Sequence, residues 1–453
     1  MVTTVYDRVA AVTDMLRTVP TAPADSDALP SGPRWPALVQ SIGLLAFRER
    51  LVPYLDRRYG SSFTMQLLPR RRSMVFFHEP DAIREIFTGD PEVFHAGKGN
   101  AILGPLMGEH SLLLVDSSQH KRARRMLMPA FSHAAIDGYR AMVHEIAREH
   151  IRSWPVGAPF SALEAMNEIT LDVILKVVFG VTEDEHLDQM RPLVRDIIQI
   201  NPVILLGYSM ERIHKLKPWR DAAVKQDRLD EAIYAQITRA RASAHDDGVD
   251  VLSQLLRVQD EDGSTLTDVE LRDQLVTLLM AGHETTATAL AWTLQEIGSD
   301  SSLVARATKA ADSGEDDYLE ATMKEAMRIH PVIAFIARLL MQPATIAGRE
   351  LPAGTYVAGS IILAHKREAS HPSAATFRPE RFLEGEVHQN TWIPFGGGVR
   401  RCIGAGFSMM EGVAVLREIL EAYSVKAVRP ERTVVRNITA VPKYGAQIVV
   451  TPR

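Results

Sequence analysis

The sequence holds a single cysteine, Cys402, so any chemistry that needs a sulfur ligand or nucleophile has to use this residue. An apolar run with helical periodicity follows it, which predicts that Cys402 lies at the entrance to a helix. The helix dipole there and the neighbouring Arg400 and Arg401 favour the thiolate, the form that binds metals. A lone cysteine is more often a small buried hydrophobe, so the residue alone predicts either a metal ligand or a core position.

A second candidate is the segment 281–287, Ala-Gly-His-Glu-Thr-Thr-Ala, which places one acid and two hydroxyls inside an apolar helical stretch. His283 and Glu284 open the H-E-x-x-H motif of zinc hydrolases, but position 287 is alanine, which excludes that zinc site. Two interpretations remain open. The small residues can line a contact between helices, or they can form a groove where a ligand approaches the backbone beside Glu284 and Thr285, which are able to move protons.

Three further patterns carry little weight individually. Glu325 and Arg328 are three residues apart and share a helix face, as many solvated surface pairs do. The segment 377–382, Phe-Arg-Pro-Glu-Arg-Phe, predicts only a loop. The segment 120–125, His-Lys-Arg-Ala-Arg-Arg, is typical of a cationic helix face in contact with solvent.

The composition limits the classes of function. The chain has 453 residues and a net charge of 51 − 56 = −5, which argues against a general nucleic-acid binder. One cysteine cannot close an internal disulfide, which fits a reducing, cytoplasmic location. Asp7, Arg8 and Asp14 interrupt any signal-peptide core, and no apolar run reaches the length of a bilayer-spanning helix. Neither an export signal nor a membrane span is therefore expected.

Helices dominate the predicted elements. Helical periodicity covers most of 79–330, and the capping-box pattern from Thr267 to Glu270 starts a long apolar helix that runs to about Gly298. Strands are expected at 63–68 and 73–77, within 338–363, and at 446–451. The predicted fold class is mainly α, with small sheets near the N-terminus and in the C-terminal half. The predicted organisation is an irregular leader, residues 1–34, and a single domain, residues 35–453.

In combination, the motifs resemble those of the cytochrome P-450 family of haem-thiolate monooxygenases. The matches, in the order of the family, are A-G-x-E-T-T at 281–286, E-x-x-R at 325–328, P-E-R-F at 379–382 and F-x-x-G-x-R-x-C-x-G at 395–404. The resemblance extends from about residue 30 to the end of the chain and points to the soluble actinobacterial members, including mycobacterial ones. It implies the cytochrome P-450 fold, in which one helical domain binds haem.

The resemblance also implies a role for each candidate residue. Cys402 would be the axial ligand of the iron of haem b, and Phe395 would lie near its sulfur. Glu284 and Thr285 would be the acid–alcohol pair that delivers protons during oxygen activation. The haem propionates would be bound by His120, Arg124, Arg338 and Arg400. The buried charged triad that fixes the fold on the haem side would consist of Glu325, Arg328 and Arg381.

The expected reaction is insertion of one oxygen atom of O2 into a C–H bond of a lipophilic small molecule. By resemblance, its pocket is lined by the mostly aliphatic segments 95–114, 195–215, 277–285, 332–337 and 438–442. The chain ends 51 residues (453 − 402) after Cys402, so electrons are expected from separate proteins, a ferredoxin and a ferredoxin reductase. An acidic ferredoxin could dock on Lys121, Arg122 and Arg125. A monomer is the expected state.

The alternative is a haem-thiolate protein that binds or senses a ligand without turnover. Such a protein would not need the pair Glu284 and Thr285, whereas an oxygen-activating enzyme depends on it. Replacement of Thr285 by alanine therefore separates the two hypotheses.

Overall fold

Helices dominate the described part of the computed structural model and the sheets are small, which confirms the mainly α class. The structure describes residues 5, 8, 19–22, 27–68, 71–181, 183–198, 216–242, 248–385 and 387–453. The predicted leader, residues 1–34, falls largely outside these residues.

The helices and strands have the following bounds. The helices are α1 (Ala37–Tyr59), α2 (Pro80–Thr88), α3 (Ala96–Gly99), α4 (Gly104–Met107), α5 (Ser117–Leu127), α6 (His133–Ile151), α7 (Ala162–Val173), α8 (Asp184–Ile198), α9 (Trp219–Ala242), α10 (Val251–Arg257), α11 (Asp268–Gly298), α12 (Ser301–Ser313), α13 (Asp316–Ile329), α14 (Ile361–Lys366) and α15 (Ala405–Ala422). The strands are β1 (Ser62–Leu67), β2 (Arg72–Phe77), β3 (Phe94–His95), β4 (Phe160–Ser161), β5 (Phe335–Leu340), β6 (Ala344–Ile346), β7 (Arg349–Leu351), β8 (Tyr356–Ser360), β9 (Tyr423–Ala427), β10 (Thr433–Arg436), β11 (Thr439–Pro442) and β12 (Gln447–Pro452).

The chain forms two compact units. The first unit consists of Met1–Val19, Ala96–Met142 and Thr170–Glu284. The second unit consists of Pro20–His95, Val143–Ile169 and Thr285–Arg453. Helix α11 contributes its residues up to Glu284 to the first unit and those from Thr285 onward to the second.

The long helix α11 has the bounds that the sequence predicts. The Thr267 amide donates to Glu270 Oε2 at 2.9 Å and the Glu270 amide donates to Thr267 Oγ1 at 3.2 Å, which makes the capping box. The helix then runs for 31 residues to Gly298. Within the described part of the chain, neither this helix nor any other combines the length and apolarity needed to cross a membrane.

The first unit is organised around a buried cation on α11. Arg272 is fully buried, and its guanidinium donates to Asp230 of α9 at 2.6 Å and to Asp273 at 2.8 Å. It also donates to the carbonyl oxygens of Leu106 and Met107 in α4. A buried charge is tolerated when its hydrogen-bonding capacity is met in this way. The ion pairs and hydrogen bonds of Arg272 therefore hold α4, α9 and α11 together.

The principal sheet of the second unit has the strand order β1-β2-β8-β5-β3. Strands β1 and β2 form the predicted antiparallel hairpin, with Ser62 opposite Phe77. Strand β2 pairs in parallel with β8, with Met74 opposite Tyr356, although 282 residues (356 − 74) separate these two positions. Buried side chains of the sheet and of α1 form one hydrophobic cluster, which includes Leu55, Phe63, Met65, Phe76 and Ala358.

Three smaller sheets complete the second unit. They are β4-β12-β9, β10-β11 and β6-β7, and β12 is the strand predicted near the C-terminus. Helix α15, which follows Cys402, contacts α12 and α13.

Candidate functional site

The cysteine loop, residues 395–404, ends where α15 begins. Helix α15 starts at Ala405, three residues after Cys402, which confirms the helix predicted there. The Cys402 amide donates to the carbonyl oxygen of Phe395 at 2.9 Å, and this bond closes the loop. Cys402 is exposed. The cysteine is therefore not a core residue, and the interpretation of Cys402 as a small buried hydrophobe is wrong.

Two glycines allow the cysteine loop to lie against α2. Gly398 has φ +63°, and a Cβ atom there would lie 1.9 Å from the Phe87 carbonyl oxygen. A Cβ atom on Gly397 would lie 2.2 Å from the Phe87 ring. Real Cβ atoms do not approach other atoms so closely, and left-handed backbone disfavours side chains. These positions therefore require glycine, and the close contact fixes the distance between the cysteine loop and α2.

A buried histidine holds the start of the same loop. The Ile393 amide donates to His365 Nε2 at 2.8 Å. Burial lowers the pKa of His365 well below its usual value, and the nearby His371 and Arg328 act in the same direction. The imidazole is therefore neutral, which leaves Nε2 able to accept the hydrogen bond. No sequence pattern singled out His365, because its role depends on a contact 28 residues away.

The aromatic residues before the cysteine are packed edge to face. Phe395 lies against Trp392 with ring centroids 5.9 Å apart and an interplanar angle of 77°. The Trp392 indole donates to the Lys324 carbonyl oxygen at 3.1 Å, which attaches the loop to α13. The contact with Trp392 therefore fixes the orientation of the Phe395 ring, and the hydrogen bond from the Cys402 amide fixes its carbonyl oxygen.

The structure brings Glu325, Arg328 and Arg381 into one buried cluster. Arg328 donates to both carboxylate oxygens of Glu325 at 2.8 and 2.9 Å, and Arg381 donates to Glu325 Oε1 at 3.0 Å. Arg381 lies in the short 3-10 helix Pro379–Phe382 and is 1% exposed, and the other two are fully buried. The sequence-based view of Glu325 and Arg328 as a solvated surface pair is therefore wrong.

Two arginines of the second unit are candidates for anion binding. Arg338 lies on β5, is 7% exposed and donates from Nη1 to the Ala337 carbonyl oxygen at 2.9 Å. Arg400 is half-buried at the end of the 3-10 turn Gly398–Arg400, two residues before Cys402. Arg400 is placed by the same glycines that place the cysteine.

The second half of α11 carries the hydroxyls Thr285 and Thr286. Thr285 is half-buried, whereas Thr286 is buried and its Oγ1 lies 3.0 Å from Ser408 Oγ of α15. Glu411, three residues after Ser408 on α15, is 1% exposed. Burial raises the pKa of Glu411 to about 8, although a hydrogen bond from Thr286 acts in the opposite direction. Sequence reasoning missed Glu411. The signal that could have revealed it is the presence of an acidic residue within the apolar run of α15.

The first unit holds the remaining candidates. His120 on α5 is 6% exposed, and Arg124 lies one turn later and is half-buried. On α11, Glu284 is half-buried and Ala281 is exposed, although the flanking turns are buried. A Cβ atom on Gly282 would meet Ile174 at 3.0 Å. Both open interpretations of 281–287 thus have support. The close approach of Gly282 to Ile174 favours a packing contact, and the exposure of Ala281 favours a groove beside the helix.

The cationic run on α5 is not a simple solvated face. Arg122 pairs with Asp260 at 2.9 Å and with Glu270 at 2.6 Å. Arg125 pairs with Asp260 and, at 2.5 Å, with Glu261. The expectation of a solvated face is therefore wrong for both arginines. Lys121 is exposed, so less positive charge remains on this helix for docking a partner than the sequence suggested.

The predicted pocket lining is described only in part. Leu106 and Val332 are buried, Leu103, Ile333, Phe335 and Ile336 are half-buried, and Ile102 is exposed. The positions predicted from the segment 195–215 lie outside the described residues or have undescribed side chains, namely Ile198, Ile200, Val203, Ile204 and Leu205.

The donor set fits a haem better than a metal held by protein ligands alone. Among the residues described, no group of three or more histidine, cysteine or acidic residues could hold a metal ion. A haem iron already has four porphyrin nitrogen ligands and needs one axial ligand from the protein, such as a cysteine thiolate. Cys402, exposed at the end of a fixed loop, meets that requirement.

Comparison with known proteins agrees with this assignment. Residues 30–450 match the family model described as Cytochrome P450. Cytochrome P450 135A1 of Mycobacterium tuberculosis is 47% identical over 429 residues, which cover 94% of this chain and 96% of that protein. Cytochrome P450 135B1 of Mycobacterium bovis is 38% identical over 434 residues, which cover 94% of this chain and 92% of that protein.

Two solved structures share the fold. The cyanobacterial CYP120A1 with bound retinoic acid superposes with a TM-score of 0.83 at 21% identity, over 96% of this chain and 100% of that one. The haem domain of cytochrome P450DA superposes with a TM-score of 0.81 at 23% identity, over 94% of this chain and 98% of that one. The expected fold is thereby confirmed.

Proposed function

The chain belongs to the cytochrome P450 family and is a haem-thiolate monooxygenase, and we propose that it inserts one oxygen atom of O2 into a C–H bond of a lipophilic small molecule. The observation that carries the proposal is the position of Cys402. This only thiol of the chain is exposed in a loop that Phe395, Gly397 and Gly398 fix at the entrance to α15.

Cys402 is the proposed axial ligand of haem b. Bound haem supplies the chemistry that accepts electrons and activates O2. The N-terminus of α15 and Arg400 stabilise negative charge on the Cys402 sulfur, which favours the ligating thiolate. The choice of haem b, which is not covalently attached, rests on the number of cysteines. If the one thiol of the chain binds the iron, none is left to form a thioether bond to the porphyrin.

Glu284 and Thr285 are the proposed proton-delivering pair. They are consecutive on α11 and half-buried, so they can exchange protons with solvent. The rest of α11 around them is largely apolar. In this role Thr285 Oγ donates a proton to the reacting oxygen, and the Glu284 carboxyl replaces it. The proposed propionate ligands are His120 and Arg124 in the first unit and Arg338 and Arg400 in the second.

The proposed electron donors are a ferredoxin and its reductase, and the proposed location is the cytoplasm. A cytoplasmic location is supported by the cysteine content, because a single thiol is suited to a reducing compartment. A lipophilic substrate is supported by the apolar side chains of Val332 and Phe335 in the second unit, which the family resemblance assigns to the pocket. The structural neighbour CYP120A1, solved with retinoic acid, provides one example of such a ligand.

The test is the absorption spectrum of the purified, haem-supplied protein after reduction with dithionite, recorded with and without carbon monoxide. Wild-type protein should show the red-shifted Soret band of haem-thiolate proteins, and Cys402→Ser should lose this band while retaining its circular dichroism spectrum. A folded wild-type protein without haem, or with haem but without this band, would contradict the proposal.

A further inference from the structure

The first half of helix α1 has its polar side chains on the inside. Phe47, with φ −130° and ψ 18°, breaks the helical geometry and separates residues 37–46 from the rest of α1. These ten residues read Ala-Leu-Val-Gln-Ser-Ile-Gly-Leu-Leu-Ala and carry no charge. Gln40 is 1% exposed. In an ordinary surface helix the polar residues face water and the apolar ones face the core, so this segment is largely reversed, with Leu44 as its one buried aliphatic side chain.

The buried polar groups attach the segment to the neighbouring β1-β2 hairpin. The Gln40 side chain donates to the Pro33 and Trp35 carbonyl oxygens at 3.1 and 2.8 Å and accepts from the Gln66 amide at 2.9 Å. Ser41 Oγ accepts from the Leu68 amide at 2.9 Å. With these bonds made, the orientation of the segment is determined and its aliphatic side is directed outward.

The outward side is a continuous apolar surface. It consists of Leu38, Val39, Ile42, Leu45 and Phe47, which are between 42% and 60% exposed, and we refer to these residues as the apolar face. Leu68, 43% exposed, extends the apolar face onto the hairpin. Single exposed apolar residues are common, but a contiguous cluster on one helix marks an interaction surface.

The surroundings of the apolar face are positively charged. The segments 28–48 and 57–78 contain no aspartate or glutamate. Arg34, Arg50 and Arg71 are exposed, and Arg71 follows Leu68 by three residues at the end of the hairpin. A second copy docked face to face would bring these like charges together, since Glu49, two residues after Phe47, is only 17% exposed and pairs with Lys366 at 3.7 Å. An anionic bilayer would supply the missing negative charge.

We propose that the apolar face and its flanking arginines dock this protein on the surface of an anionic lipid bilayer. A ten-residue helix is roughly 15 Å long, about half of the hydrocarbon thickness, so the segment lies in the interface and does not span it. The aliphatic side chains would enter the boundary between headgroups and acyl chains, and Arg34 and Arg71 would contact lipid phosphates. This proposal does not depend on haem chemistry.

The experiment is co-sedimentation of the full-length holoenzyme with vesicles. One set of vesicles is pure phosphatidylcholine and the other contains about one third phosphatidylglycerol. Wild-type protein should bind the anionic vesicles and partition at least tenfold less onto the neutral ones. Raising the salt from about 0.05 to about 0.5 M should weaken the binding, because the arginine contribution is screened.

Two variants separate the contributions of the surface. The triple substitution Leu38→Gln, Ile42→Gln and Leu45→Gln should lower partitioning at least tenfold, and Arg71→Asn should weaken binding to anionic vesicles only. All three leucine and isoleucine positions are exposed, so the fold should be retained, which the melting temperature and the reduced carbon monoxide spectrum verify.

The matched control is Leu383→Gln with Val156→Gln, which changes two residues of similar exposure away from the apolar face. The control should bind vesicles as wild type does. The proposal is overturned if wild-type protein stays in the supernatant with both kinds of vesicle, or if the control and the triple variant lose binding equally. It is also overturned if light scattering shows a dimer that only the triple variant disrupts and no vesicle binding occurs.

Discussion

Thr286 of α11 and Ser408 of α15 share a hydrogen bond of 3.0 Å between their hydroxyl oxygens. This bond joins the helix of the proposed acid–alcohol pair to the helix that begins after the cysteine. Glu411, one turn after Ser408, completes the contact with a buried carboxyl that also bonds Thr286. Within the second unit, the helix that carries Thr285 and the helix that follows Cys402 are therefore connected through polar side chains.

The first prediction concerns the pH dependence of stability at Glu411. Because its pKa rises from 4.5 to about 8 on folding, the folded protein favours the protonated carboxyl. This contribution to stability is fully present below about pH 4.5 and is lost as the pH rises through about 8. In urea denaturation, Glu411→Gln should therefore gain stability relative to wild type as the pH rises, by at most about 1.4 kcal/mol per unit.

Glu384→Gln is the control for this prediction, because Glu384 is exposed and makes only a long contact of 3.5 Å with Arg378. Its stability relative to wild type should not change with pH. A difference between Glu411→Gln and wild type that stays constant over the same pH range would show that Glu411 is ionised in the folded protein.

The second prediction concerns the buried triad. Glu325→Ala would leave Arg328 and Arg381 buried without their carboxylate, which should cost about 3–5 kcal/mol of unfolding free energy. Asp81→Ala removes the exposed partner of Arg84 and should cost less than about 1 kcal/mol. Denaturant unfolding of the holoenzyme measures both. Equal effects of the two substitutions would contradict a structural role for the triad.

The third prediction uses a pair of glycines in the cysteine loop. Gly398→Ala places a Cβ against the Phe87 carbonyl oxygen in left-handed backbone, so it should destabilise the protein by about 2 kcal/mol or more and weaken haem retention. Gly404→Ala meets no atom within 4 Å and has φ −85°, so it should behave as wild type. The measurements are the melting temperature and the fraction of protein that retains haem after dialysis, and similar values for both variants would contradict the packing argument.

The fourth prediction addresses proton delivery. Thr285→Ala removes the proposed donor hydroxyl and should divert reducing equivalents from product to hydrogen peroxide, by about tenfold or more. Thr285→Ser keeps the hydroxyl and should stay close to wild type. The measurement is peroxide formed per reducing equivalent consumed, with a compound that shifts the spin state of the haem. If Thr285→Ala gives the wild-type ratio, Thr285 does not deliver the proton.

Local patterns in the sequence were sufficient to predict several of the helices and strands. The capping box at Thr267, the helix after Cys402 and the β1-β2 hairpin each depend on neighbouring residues, and each was predicted. The role of His365 and the ion pairs of Arg122 and Arg125 were not predicted, because their partners lie far along the chain. The reversed polarity of residues 37–46 was also missed, since periodicity shows that a helix is amphipathic but not which side is buried.

The parallel pairing of β2 with β8 has a consequence during biosynthesis. When the ribosome has made the β1-β2 hairpin, which ends at Phe77, 279 residues (356 − 77) remain to be added before Tyr356 can pair with Met74. At about 5–20 residues per second, the edge of β2 waits roughly 14–56 s without its partner. An exposed strand edge invites pairing with other chains, so the nascent protein should depend on chaperones such as trigger factor or Hsp70 during this interval.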